Sequence, residues 1–200
     1  MTANQVLLMP PDIKYYRITA SGITEPNAEW TAQARENYVD ALDAFVAKNK
    51  LQTTAEDPAE QTDLGVEYDK LHSAVGATIL SHYYGLTKLP TKQGRFDWSL
   101  GPGVGEISGP QEREYALFVH YRDYEASGGR VGIALFAAVL GASIDVGHQG
   151  GFASLVDLSN GDVVWFNNVP IASGDMRTPG GATKIVDQLL SSLVESARKE

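Results

Sequence analysis

"GFASLVDLSNGDVVWFNNV", residues 151–169, sets two β-rich runs on either side of Asn160-Gly161. Asn-Gly is the pair that most favours a tight hairpin turn, because both residues tolerate the backbone such turns need. The stretch therefore predicts a β-hairpin. Its sheet neighbours and its cover must come from the rest of the chain.

Working outward, "RTPGGATKIVDQLLSSLVESARKE" (177–200) places Thr178 as N-cap and Pro179 at the first helical position. Ile185, Val186, Leu189, Leu190, Leu193 and Val194 then form one apolar stripe, which predicts a terminal helix docked on the sheet. Upstream, "EYALFVHYRDYEA" (114–126) carries large residues on both alternating faces, the pattern of a strand covered on both sides. Between that strand and the hairpin lies "GGRVGIALFAAVLGASIDVGHQGG" (128–151), where the fourteen residues from Val131 to Ile144 carry no charge. At about 1.5 Å per residue these span roughly 21 Å as a helix, short of a hydrocarbon core of approximately 30 Å. A membrane span is therefore rejected. Two readings remain: an internal helix enclosed by the domain, or an element exposed in the monomer and covered on self-association. The first is preferred, since a chain of 200 residues has the volume to enclose it.

At the amino-terminal side, "QVLLMPP" reads as a short buried strand halted by Pro10 and Pro11, with "IKYYRIT" continuing it as an extended edge segment. Asn27 is a candidate N-cap for an amphipathic helix bearing Trp30, Ala34, Tyr38, Ala41, Leu42, Phe45 and Val46, with Asn49 as its stop. Leu51 to Thr54 suits a short strand. Pro58 suits the first turn of a second, long helix carrying Leu64, Tyr68, Leu71, Val75, Ile79 and Tyr83 and ending at Gly85. From Thr87 to Gln111 the pattern dissolves into Pro, Gly and short apolar pieces, either a strand with a wandering loop or a partner-binding segment. The predicted fold is α/β in one domain spanning residues 1–200. A mixed β-sheet packs with two long amphipathic helices, a short apolar connecting helix, the hairpin and a terminal helix.

The composition excludes several functions. Sixteen basic against twenty-five acidic side chains give a net charge of −9, which repels phosphate backbones, so nucleic acid is not expected as a partner. There is no cysteine, so thiolate catalysis and thiolate metal sites are excluded. His72, His82, His120 and His148 lack the spacing of a helical metal pair, and no metal or cofactor is implied. "GASID" at Gly141 to Asp145 lacks the second glycine of a nucleophile elbow and stands before a strand instead of after one. "GPGVG" at Gly101 to Gly105 lacks the lysine and hydroxyl of a phosphate loop. Asp157 and Asp162 lack the ligand series of a calcium loop. No catalytic residue is identified. The candidate contact or ligand residues are Trp98 in the glycine-rich loop, Phe136 in the apolar run, and His148 and Gln149 in "GHQGG". An alternative reading is a small-molecule-binding or hydrolytic site assembled from the Gly101 and Gly147 segments with His148 and nearby carboxylates.

"ASLVDLSNGDVVW" (153–165), preceded by a glycine-punctuated apolar run and followed by an amphipathic helix, resembles the strand-turn-strand of bacterial envelope lipoproteins. These include the curli-secretion lipoprotein family and relatives with the fold of the TolB amino-terminal domain. "VLLMPPDIKYYRITASGITEPNAEW" (6–30) is similar to the mature start of an uncharacterised proteobacterial lipoprotein group in that set. The resemblance implies an exported, non-enzymatic domain on the periplasmic side of a membrane, held by a lipidated cysteine upstream of residue 1. It implies other envelope proteins or self-association as partners, contact with the membrane only through the lipid, and no catalytic residue. Nothing reads as the alternating, about ten-residue strands of a membrane pore, so pore formation is not carried over.

Overall fold

The computed structural model describes residues 6–58, 61–109 and 113–197. Its centre is strand Tyr115–Ala126, and the elements in chain order are arranged around it. Val6–Leu8 (β1) and Asp12–Ile18 (β2) both run parallel to that central strand along one side, from Val6↔Tyr115 to Ile18↔Ala126. They are one strand path interrupted where Pro10 and Pro11 have no N–H to offer the ladder. Thr24–Pro26 (β3) lies antiparallel on β2, and Thr53–Ala55 (β4) parallel on β1. The central strand, Tyr115–Ala126, is β5; Gly147–Asp157 (β6) is antiparallel to it and Val163–Val169 (β7) antiparallel to β6. The result is a mixed seven-stranded sheet.

Both faces of the sheet are covered, as the residues of β5 foretell. Leu117, Val119 and Tyr121 meet helices Ala28–Asn49 (α1) and Pro179–Ala197 (α4) on one face, whose core includes Tyr38, Phe45, Ile185 and Leu189. Ala116 and Phe118 belong to the opposite core with Ile79, Trp98, Val104 and Ile107. That side is roofed by helix Asp63–Ile79 (α2) and the 3-10 segment Pro102–Ser108. The expected caps are present: Asn27 Oδ1 accepts from Trp30 N at 3.0 Å, and Thr178 Oγ1 accepts from Gly181 N at 3.2 Å. Asn27→Ala is expected to destabilise the protein by about 1 kcal/mol, read as a shift in the urea midpoint with unchanged slope.

Several details depart from the sequence reading. β2 is not an edge strand: over Tyr16 to Ile18 it is flanked by β3 and β5, and Ile13 and Tyr15 are fully buried. α2 starts at Asp63, not near Pro58, because Thr62 supplies the capping oxygen, accepting from Gly65 N at 3.1 Å. It gives way to a π-helical turn, Leu80–Tyr84, before Gly85. Leu71 points outward, and its neighbour His72 takes the inward place. The glycine-rich segment after Thr87 is not a wandering loop. Leu100 N donates to Gly161 O at 2.8 Å and Val163 N to Trp98 O at 2.9 Å, which seats it against the β6–β7 connection. Gln111, at the end of that segment, lies outside the described residues, as do Arg198 to Glu200 of the terminal stretch.

The largest correction concerns the apolar run. It forms helix Gly128–Val139 (α3), yet none of its residues is buried. β5 and β6 pair antiparallel from Tyr115↔Asp157 to Glu125↔Gly147, so the run sits at the tip of a long hairpin, beyond the sheet. The volume on both sheet faces is already filled by α1, α4, α2 and the 3-10 segment. Among the described residues, no helix is long and apolar enough to cross a membrane.

Candidate functional site

α3 begins where Ser127 Oγ accepts from Arg130 N at 3.4 Å, and it ends before Gly141, whose φ of +79° breaks the helix. Its polarity is inverted relative to an ordinary surface helix. Arg130, Ala134 and Ala137, one helical stripe, are its half-buried members. Val131, Ile133, Leu135, Phe136, Val139 and Leu140 are exposed, with Phe136 at 69% and Val139 at 83%. The tether is polar: Arg130 Nε donates to Asp145 O at 2.7 Å, and its guanidinium lies over Gly22 of the β2–β3 turn. Ile23, Val146 and Ile171 are exposed at the same end of the sheet, adjoining the ends of β2, β6 and β7. One end of the molecule therefore gathers several exposed large apolar side chains, most of them on α3, a feature that marks contact surfaces on folded proteins.

The four residues singled out from sequence do not converge. Phe136 lies on the outer side of α3. His148 is exposed and stacks on Tyr124 at 4.7 Å, and Tyr124 in turn stacks on Tyr16 at 4.8 Å, a ring ladder across three paired strands. Gln149 points to the opposite sheet face and is structural: its Oε1 accepts from Tyr121 at 3.0 Å and its Nε2 donates to Ala172 O at 2.9 Å. Trp98 is 8% exposed in the α2-side core, with the Lys92 ammonium 4.6 Å from its ring centroid. It lines a cleft of about 320 Å³ with Lys88 and Arg95.

The Gly101 and Gly147 segments cannot share a site. Gly147 opens β6, whereas Gly101 packs against Gly161 beyond the other end of that strand, roughly 33 Å away at about 3.3 Å per residue. Gly147 has a backbone reason to be glycine: its φ is +115°, and a β-carbon there would lie 1.8 Å from Tyr124 O. The "GHQGG" run is thus explained by close strand approach, and the Gly101 and Gly147 segments do not come together.

One polar constellation was invisible from sequence. Asp12 Oδ2 accepts from Arg122 Nη2 at 2.5 Å and from Ser73 Oγ at 3.1 Å, and His120 Nδ1 is 3.1 Å from it. Ser73 Oγ is also 2.8 Å from His120 Nδ1. Burial raises the Asp12 carboxyl, but hydrogen bonds from His120 and Arg122 and the charges of Arg122 and Lys14 outweigh it, holding the group well below the carboxylate range. A Ser-His-Asp relay needs the hydroxyl and carboxylate on opposite ring nitrogens. Here both meet the same nitrogen, so the cluster ties α2 to the sheet and does not activate Ser73. It borders a cleft of about 440 Å³ at the proline break, where Asp69 is pushed up to about 6, chiefly by burial. Among the described residues no group of three or more His, Cys, Asp or Glu is placed to hold a metal ion. No signal in one sequence foretells this cluster, because its members come from three separate segments, β2, α2 and β5.

No protein-family model and no curated protein matches the chain. Among solved structures, it is similar to the crystal structure of lipoprotein GNA1162 from Neisseria meningitidis, with a TM-score of 0.38 and 12% identity. The alignment covers 98% of this chain and 99% of that one.

Proposed function

We propose that this chain is a non-enzymatic domain of a membrane-anchored envelope lipoprotein, facing the periplasm and working through protein contacts as a scaffold or auxiliary component. The observation that carries the contact role is α3 with its C-cap Leu140: six large apolar side chains are held outward while Arg130, Ala134 and Ala137 face the body. A helix left in that state is unfavourable in water by the free energy of its exposed apolar area, so a partner that covers it gains that amount on binding. The envelope location rests on the two stretches, 6–30 and 153–165, that resemble envelope lipoproteins. The non-enzymatic reading is supported by the shared nitrogen in the Asp12 cluster and by the separation of Gly101 from Gly147.

Photocrosslinking in cells that make the natural full-length protein tests the contact role. A photoreactive residue at position 136 is expected to give discrete protein adducts. The same residue at position 164, on exposed Val164 of β7 near the opposite end of the sheet from α3, is expected to give none. Equal or absent adducts from both positions would overturn the contact role. Recovery of the protein in the cytosolic fraction would overturn the envelope location.

A further inference from the structure

We infer that α3 is a self-association element, and that its occupant is the α3 end of a second copy of this chain. The inference deepens the contact role proposed above and rests on it. Three observations select a second copy.

The first is area. The exposed parts of Val131, Ile133, Leu135, Phe136, Val139 and Leu140 amount to roughly 600 Å² of apolar surface, taking about 150–200 Å² for each fully exposed side chain. Two copies burying this surface against each other remove roughly 1,200 Å² in all, the lower bound of stable specific interfaces. Ile23, next to Gly22 on the turn that Arg130 covers, and Val146, paired with the end of β5, are exposed as well and carry the total further into that range.

Self-complementarity is the second. Gly128, Gly132 and Ala138 are exposed between the bulky residues, and at Gly128 and Gly132 the space a β-carbon would enter is open. One helix therefore offers both ridges and grooves, and a second copy supplies the matching half of each contact. The third is chemistry. An interfacial lipid-binding helix needs a polar face rich in Lys and Arg, whereas α3 has Arg130 alone, bound to Asp145 O. The net charge of −9 also repels an anionic bilayer.

Sedimentation velocity of the purified full chain, from about 1 to about 100 µM, tests this. The expected result is a concentration-dependent shift from monomer to dimer or larger. It should strengthen from about 0.15 M to about 0.5 M salt, because salt screens the repulsion between acidic copies. Leu135→Lys with Phe136→Glu is expected to weaken association about tenfold or more, with an unchanged urea midpoint at a protein concentration where parent and variant are both monomeric, since neither side chain is in the core. Val139→Lys alone, at the most exposed of these positions, should act in the same direction. A chain that stays monomeric throughout, or variants that associate as the parent does, would overturn the inference. Flotation of the parent, but not the variants, with anionic phospholipid vesicles would assign the surface to lipid and overturn it too. A monomeric chain whose position 136 still crosslinks to a different protein would overturn self-association alone and leave the contact role standing.

Discussion

Gly76→Ala is expected to destabilise the protein by about 3 kcal/mol, although alanine favours a helix over glycine by about 1 kcal/mol. A β-carbon at Gly76 would lie 2.0 Å from Phe152 Cε2 and 2.3 Å from Cζ. The ring cannot easily give way. It is stacked on His120 at 4.7 Å and on Phe166 at 5.5 Å, and His72 is tilted against it at 5.3 Å. α2 thus sits on the sheet at a distance that only a bare backbone permits. Urea unfolding in two backgrounds provides the check. With Phe152→Ala in place, which is itself costly through its cavity, Gly76→Ala is expected to become neutral or stabilising. An unchanged cost in that background would show that contact with Phe152 is not the cause.

Acid should act on the same layer through His72. The ring is 2% exposed, with Nε2 2.9 Å from Ser154 Oγ and Phe118 stacked at 5.1 Å. Burial, reinforced by the neighbouring His120, pushes its pKa down to about 3, with Asp12 opposing weakly. Below about 6.5 the unfolded chain takes up a proton that the folded protein refuses, so this contribution is complete above about pH 6.5. It falls by about 1.4 kcal/mol per pH unit until about pH 3. Asp69 and Asp123, each pushed up to about 6 chiefly by burial, have the opposite sign. Folded, they keep protons that the unfolded chain releases above about pH 4, so they lower stability as pH rises toward 6. Asp12, held low, supplies stability that is lost only as pH falls below about 4. Comparison with His72→Gln between pH 7 and pH 4.5 isolates the histidine, because the carboxylates are common to both proteins. The stability gap between parent and variant is expected to move by roughly 2–3 kcal/mol in favour of the variant at the acid end. Parallel pH profiles would show that His72 does not titrate across that window.

Much of the fold is legible locally. Asn27 and Thr178 mark helix starts because only a short polar side chain can satisfy the free N–H groups there. Pro10 and Pro11 mark the ladder break because they lack the donor. The hairpin at Asn160-Gly161 forms, although its turn is longer than two residues: Gly161 N donates to Asp157 O at 2.8 Å and Asp162 N to Asn160 Oδ1 at 2.8 Å. The candidate site was legible only in part. Phe136 stands on the exposed surface, whereas Gln149 and Trp98 are held by contacts with Tyr121, Ala172 and the core that no spacing announces.

What residues 131–144 determined by themselves is an apolar segment, helical over most of its length and too short to cross a bilayer. Whether that helix is enclosed or left outside was decided by tertiary structure alone. An all-apolar helix has the same local signature in either place, because periodicity reports which side chains are alike and not what stands opposite them. The antiparallel pairing of β5 with β6 carries the segment to the hairpin tip, and helices already occupy both sheet faces, so the most hydrophobic stretch of the chain is the one left in solvent.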